Sequence, residues 1–288
     1  MATGQNIPHL FRRPAWHDGD VPIMRAADHG SWLGTTVFDG ARQFDGVTPI
    51  STRIARASMR SARALMIDPT LTGEEIAAIA RDGLRRYNAG AAVYIRPMFW
   101  ALDGDISGIV PRPGATGFAL CLEEIPMADE TTTTTLTTTR FRRPVLDCAV
   151  TNAKAGCLYP NNARMLAEAR SKGFGNALVA DAMGNVAESA TANVFMVRDG
   201  EVFTPIANGT FLSGITRARH IANLRAEGIP VHETVLTFDD FRAADEVFLS
   251  GNMSKVTPVT AFDDTKYAHG PVTKRIRSLY MDWAHSGG

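Results

Sequence analysis

Lys154 lies in the string NAKAG, between Ala153, Ala155 and Gly156, with Tyr159 five positions on. A lysine amine among small uncharged neighbours is suited to attack a carbonyl carbon, because desolvation disfavours the ammonium form. Glu188 follows a turn and opens the string ESATANVF. A carboxylate there can oppose a heteroaromatic ring nitrogen and keep it protonated by charge pairing. One amine for a Schiff base and one acid for a ring nitrogen are what pyridoxal 5'-phosphate requires. Gly214, Ile215 and Thr216 in FLSGITR open a predicted helix. Free backbone N–H groups and the helix dipole favour an anion at such a start. Arg56 in TRIARASMR is the expected guanidinium partner of a phosphate, with Arg53 and Arg60 close by on the same helix. A rigid guanidinium fork suits phosphate oxygens.

Each of these has a plainer alternative. Most lysines are solvated, strand-end glutamates are ordinary, and a buried tyrosine with a satisfied hydroxyl is a common core feature. The order of blocks outweighs those alternatives. HGSWLGTTVFDGAR (His29 to Arg42), AVYIRPMFW, NAKAG, ESATANVF, FLSGITR, ADEVFLSGNMSKVTPV and GPVTKRI follow one another along nearly the whole chain. In this order they resemble the class IV aminotransferases, pyridoxal phosphate enzymes that act on branched-chain amino acids, D-amino acids, aminodeoxychorismate or (R)-amines. The resemblance implies an α+β fold of two domains: a small α/β N-terminal domain and a larger C-terminal domain with a barrel-like β core. It implies Lys154 as the Schiff-base and proton-shuttling lysine and Glu188 as partner of the pyridine nitrogen, supported by Asn193. It also implies Tyr159 as donor to the cofactor's phenolic oxygen, Leu212 against the ring and Asn252 as a phosphate contact. An active site formed at a homodimer interface is implied as well.

The resemblance extends to substrate. Tyr94 and Arg96, followed by Pro97, resemble the branched-chain members and alternate onto one face of a strand. There the tyrosine helps bind the α-carboxylate with backbone N–H groups matching Asn252 and Met253, and the arginine meets the side-chain carboxylate of glutamate. Phe38 would line the apolar side-chain pocket. Four positions depart from the family. Arg53 replaces a histidine three residues before Arg56, and Leu33 replaces a tyrosine before GTTVF. DGDISGIVPRPG lacks a glycine-methionine-glycine pattern, and GNMSK replaces a small-residue turn. The expected reaction is amino transfer between L-glutamate, or a branched-chain or hydrophobic L-amino acid, and a 2-oxo acid. An (R)-amine or D-amino-acid transaminase is the nearest alternative, followed by an aminodeoxychorismate lyase and a non-catalytic cofactor-binding regulator.

The elements that must hold these residues are readable from pattern. WLGTTVFDGARQF reads as a strand. TRIARASMRSARALMI and LTGEEIAAIARDGLRRYNAG read as helices, the second opened by Thr72 with Glu75 three residues later, a capping box. AVYIRPMFWAL and TGFALCLEEI read as strands. The threonine-rich run TTTTTLTTTR reads as a strand because threonine is β-branched, with a disordered linker as the alternative. PNNARMLAEARSKGFG is a helix stopped by glycine. NVFMVRDGEVFTP is a hairpin whose Asp199-Gly200 pair suits a type I′ turn. The expected domains are 1–122 and 131–288, with a proline-containing acidic linker at 123–130.

Bulk properties exclude several classes. The 288 residues suffice for two cores. Lys plus Arg and Asp plus Glu number 30 each, so no net charge draws the chain to nucleic acid or an anionic membrane. No apolar run approaches the ~20 residues that span a bilayer. The stretch MATGQNIPHLFRRPAWHDG has no apolar signal-peptide core. Cys121, Cys148 and Cys157 show no metal-ligand spacing and read as reduced thiols of a cytoplasmic protein, with no metal expected.

Overall fold

The computed structural model describes residues 9–12, 15–19, 21–49 and 51–287. Part of the stretch read for a signal peptide, residues 1–8, 13 and 14, lies outside the described residues. The chain divides into two compact units. The first is Met1–Met127 with Ala153–Cys157 and Gly287–Gly288; the second is Ala128–Asn152 with Leu158–Ser286.

The first unit runs β1 (His9–Arg12), β2 (Ala15–Asp18), α1 (His29–Trp32), β3 (Thr36–Phe38), β4 (Ala41–Gln43), α2 (Ser51–Ala64), α3 (Gly73–Leu84), β5 (Val93–Ala101) and β6 (Thr116–Glu124). Among the described residues these strands form a six-stranded sheet of order β2-β1-β6-β5-β3, with β4 also on β5. Every pairing in it is antiparallel. The start of β5 alternates: Val93 and Ile95 are buried while Tyr94 and Arg96 are half-buried. Residues opposite one another in an antiparallel pair share a face. Phe38 opposite Met98, Arg42 opposite Tyr94 and Cys121 opposite Arg96 therefore line the same face as Tyr94 and Arg96. Helices α2 and α3 pack on the sheet. Helix α3 opens with the expected capping box: Glu75 N–H donates to Thr72 Oγ1 at 3.2 Å, and Thr72 N–H donates to Glu75 Oε2 at 2.7 Å. Its buried Ile76, Ala77, Ala80 and Leu84 recur at helical spacing.

One expectation needs correction. WLGTTVFDGARQF is not a single strand. Trp32 ends α1, and the extended part breaks at Asp39-Gly40 into β3 and β4. The break has local causes: Asp39 Oδ1 accepts the Gly40 N–H at 2.8 Å, and the Asp39 N–H donates to Pro97 O at 3.1 Å.

The second unit runs β7 (Thr134–Thr138), α4 (Tyr159–Ser171), β8 (Asn176–Ala180), β9 (Val186–Ser189), β10 (Asn193–Arg198), β11 (Glu201–Pro205), α5 (Ile215–Ala226), β12 (Val231–Thr234), α6 (Phe238–Arg242), β13 (Glu246–Gly251), β14 (Lys255–Phe262), β15 (Thr265–Lys266) and α7 (Pro271–His285). Its sheet has nine strands among the described residues, in the order β12-β11-β10-β13-β14-β7-β8-β9, with β15 on β14. Pairings of β7 with both neighbours are parallel, as is β11 with β12. The sheet curls until β9 touches β10. Leu136, Leu178, Val186, Val194, Met196, Val247, Leu249 and Val259 fill the inside of that curl, which is the expected barrel-like core. The alternate residues Phe195, Val197 and Phe248 face outward against Ile221 and Leu224 of α5 and Ile276 of α7. Both strand faces are thus buried, which is why β10 reads as an unbroken apolar run. The Asp199-Gly200 turn has φ of 53° and 79°, as a type I′ hairpin demands.

Candidate functional site

Lys154 belongs to the first unit, and its segment is fastened there by its backbone. Phe38 N–H donates to Lys154 O at 3.1 Å, Lys154 N–H donates to Ser61 Oγ of α2 at 3.1 Å, and Val37 forms a bridge with Ala155. The segment is in effect one more short strand beside β3. Its small residues are required by closeness. A Cβ on Gly156 would stand 2.2 Å from Thr36 Oγ1, and Ala155 is fully buried. Lys154 itself is half-buried, its Nζ 5.2 Å from the centre of the Phe38 ring. Asp39 adjoins it electrostatically. Burial raises the Asp39 carboxyl to about 6, against the lowering effects of Lys154, the Gly40 N–H and Arg60.

Of the arginines on α2, Arg60 is thus the one whose charge reaches Asp39 together with that of Lys154. Arg56 is exposed and lies against Gly73 at the start of α3, where a Cβ would come within 3.2 Å of Arg56 Cγ. Tyr94, Arg96 and Phe38 share one sheet face, as the alternation predicts. The Arg96 guanidinium lies 5.5 Å from the Tyr94 ring centre and donates from Nη2 to Glu123 Oε1 at 2.7 Å.

The second unit holds a separate cluster around Glu188. Arg143 Nη2 is 3.1 Å from Glu188 Oε1, with the two side chains 5% and 10% exposed. Asn193 Nδ2 donates to Glu188 Oε2 at 3.1 Å and to Leu212 O at 3.0 Å. The carboxylate is therefore clamped from both oxygens. Arg143 is held in turn: Nη1 donates to Asn162 Oδ1 at 2.7 Å and Nε to Thr210 O at 3.2 Å.

Asn193 also abuts Gly214, the N-cap of α5, where a Cβ would fall 2.4 Å from Asn193 Oδ1. Only glycine fits there. Ile215 and Thr216 follow in the first turn, whose N–H groups have no intrahelical acceptor. Ser250 pairs with Asn193 across β10 and β13. Its Oγ and the Nδ2 of Asn252 are buried with no hydrogen-bond partner among the described residues. Buried donors left open fit an anion. Asn252 Oδ1 accepts from Nζ of the buried Lys255 at 2.8 Å, which fixes the amide. Met253 is exposed in the same turn, and Tyr159 is exposed at the first position of α4.

Sequence reasoning passed over Arg143, Asp39, Glu123 and Lys255. Arg143 stands in RFRRPV, where Arg140 and Arg142 are exposed and it alone is buried. The cluster of arginines before a proline was visible, but which of them turns inward depends on the sheet. Asp39 signals itself only through the VFDG break, and Glu123 through register across β5 and β6.

Comparison with known proteins identifies the family. The family model "Amino-transferase class IV" matches residues 55–262. The branched-chain-amino-acid aminotransferase of Salmonella typhimurium is 32% identical, with 92% of this chain and 88% of that one covered. Among solved structures, an aminotransferase from Brucella abortus bound to the cofactor PLP is 56% identical with a TM-score of 0.95, covering 97% of this chain and 99% of that one. The branched-chain amino acid aminotransferase from Escherichia coli has a TM-score of 0.86 at 27% identity, covering 96% and 94%.

Proposed function

The chain belongs to the class IV aminotransferases, and from that premise we propose that it moves an amino group between an L-amino acid and a 2-oxo acid with Lys154 as the reacting amine. Pyridoxal 5'-phosphate, when bound, supplies the electron sink for the substrate's α-carbon. The chain's residues fit that group. Glu188, clamped by Arg143 and Asn193, is the carboxylate for the pyridine nitrogen. The start of α5 at Gly214, Ile215 and Thr216, with Ser250 and Asn252, is the cradle for the phosphate. Of the α2 guanidiniums, Arg56 is assigned to the phosphate on the sequence pattern, with Arg60 as the second candidate. Tyr159 serves the phenolic oxygen, and Leu212 the ring face.

Lys154 Nζ takes the proton from the α-carbon and returns it to the acceptor carbon, general-base and general-acid work by one group. Tyr94 and the turn at Asn252 and Met253 orient the α-carboxylate, and Phe38 offers an apolar wall to the side chain. The exposed apolar residues Trp32, Leu33, Ile106 and Ile109 of the first unit support a homodimer. Three free cysteines suit a reducing, cytoplasmic setting. No described helix is long and apolar enough to cross a membrane.

The observation that carries this reading is the fastening of the Lys154 segment to β3 and α2, with Nζ over Phe38. The test has two steps. Protein incubated with pyridoxal phosphate and reduced with borohydride should carry the phosphopyridoxyl group on Lys154 by peptide mapping. The unreduced protein should then transfer nitrogen from L-leucine to 2-oxobutyrate, an acceptor without a side-chain charge. An adduct on another lysine, or transfer only from (R)-1-phenylethylamine or D-alanine, would overturn the assignment.

A further inference from the structure

Arg96 is the residue expected to meet a second carboxylate on the substrate, and in the structure it already has one. Arg96 Nη2 donates to Glu123 Oε1 at 2.7 Å. The same oxygen accepts from the Cys121 thiol at 3.3 Å. This is no chance meeting of two long surface chains. Arg96 stands opposite Cys121, and Glu123 stands opposite Tyr94, in the unbroken register of β5 and β6. Diagonal neighbours on one sheet face lie within reach of long side chains. The two side chains are 30% and 31% exposed, and Arg96 also stacks toward the Tyr94 ring at 5.5 Å. The guanidinium is thereby oriented and its charge cancelled by a carboxylate of the chain itself.

We propose that Glu123 is a specificity-determining residue that turns this face against amino donors with a side-chain carboxylate and toward donors with uncharged side chains. The inference rests on the aminotransferase reading and deepens it. A dicarboxylic donor either displaces Glu123 from Arg96, leaving a partly buried carboxylate with only the Cys121 thiol, or brings a second carboxylate beside it. Both effects oppose binding. An uncharged side chain lies along Phe38 and leaves the pair intact. The neutral pair thus makes the face read apolarity rather than charge.

Glu123→Gln tests this, because it keeps the shape and one acceptor for Arg96 while removing the charge. With the cofactor-loaded enzyme, the ratio of kcat/KM for the L-glutamate half-reaction to that for L-leucine should rise at least about tenfold, the scale of one freed charge-assisted contact. The double variant Arg96→Leu/Glu123→Gln should lose that gain, since the gain needs a bare guanidinium. A second readout is binding. In calorimetry, glutarate should bind Glu123→Gln about tenfold or more tighter than wild type, and 4-methylvalerate should not show this gain. An unchanged ratio with unchanged glutarate affinity would overturn the proposal, as would a wild-type enzyme that already favours L-glutamate tenfold over L-leucine. If no amino donor is turned over at all, the enzymatic reading fails, and glutarate binding still decides the role of Glu123. Glu123→Ser replaces the glutamine variant if thermal melts show that the latter does not fold.

Discussion

Arg143 spends its guanidinium on three parts of its unit: the carboxylate of β9, the amide of Asn162 in α4 and the carbonyl of Thr210 before α5. Each contact satisfies a group that burial would otherwise leave open, and each fixes where Glu188 points. Removing the cation strands a buried carboxylate, and such losses run to roughly 3–5 kcal/mol. Arg143→Leu should therefore lower the stability of the second unit by about that amount in urea denaturation. It should also cut turnover with amino donor by on the order of a hundredfold or more, the scale of a lost electrostatic group at a reacting centre. Arg143→Lys keeps the charge but not the fork, and should recover part of the stability and little of the turnover. Equal stability in Arg143→Leu and wild type would show that the cluster does not bear on folding. Cys121 adds a smaller residue-scale point. Burial pushes its thiol up to about 12, so it stays protonated and donates to Glu123 across the working pH range.

At the scale of elements, the pattern of the chain was legible wherever one periodicity ran long enough. The capping box at Thr72, the glycine-bounded helix α4, the hairpin at Asp199-Gly200 and the long strands β5 and β6 all follow from local chemistry. The blocks around Lys154 and Gly214 stand out for another reason: each places a glycine where a Cβ would collide with a neighbouring side chain. The rest depends on partners distant in sequence. Neither the burial of Arg143, nor the pairing of Arg96 with Glu123, nor the turn of Arg56 toward α3 follows from neighbours along the chain. The fastening of the lysine segment can be tested as an element. In Gly156→Ala the new methyl meets Thr36 Oγ1, which stands 2.2 Å from an ideal Cβ, so either Thr36 turns its hydroxyl out of the bridge or the strand moves off β3. Such overpacking costs about 1–3 kcal/mol. Turnover should fall at least about tenfold, because an error near 1 Å at a reacting group is that costly. Thr36→Ala in the same chain should restore part of the activity. No recovery in the double variant would mean that the loss arises elsewhere.

For the whole molecule, buried His220 and half-buried Asp39 contribute to the two units with opposite dependence on acid. His220, walled by Phe195, Phe248 and Tyr280, has its pKa lowered from 6.5 to about 4 chiefly by burial, and its Nε2–H donates to Lys255 O at 3.1 Å. Its unfolded form takes the proton first, so its contribution to the second unit is fully present above about pH 6.5 and lost as pH falls toward 4. Asp39 runs the other way. Its carboxyl is raised from 3.8 to about 6, so its contribution to the first unit is fully present below about pH 4 and lost as pH rises toward 6. Each effect is on the order of 3 kcal/mol. Amide exchange on cofactor-free protein, corrected for intrinsic rates, should show α5 and α7 less protected at pH 4.5 than at pH 7. The segments around β3 should be more protected at pH 4.5. Shifts of the same sign in both units would sink this account. The threonine-rich strand has a consequence of another kind. On one edge β7 pairs Leu136 with Asn176, soon after it in sequence, but on the other it pairs Thr134 with Val259 and Leu136 with Phe262. A ribosome adding about 5–20 residues per second needs several seconds or more to cover that separation. Throughout that wait β7 offers a bare edge to every other nascent chain. Threonine can hold an extended shape without offering grease, and so the strand that must wait for so distant a partner is poorly suited to take a wrong one.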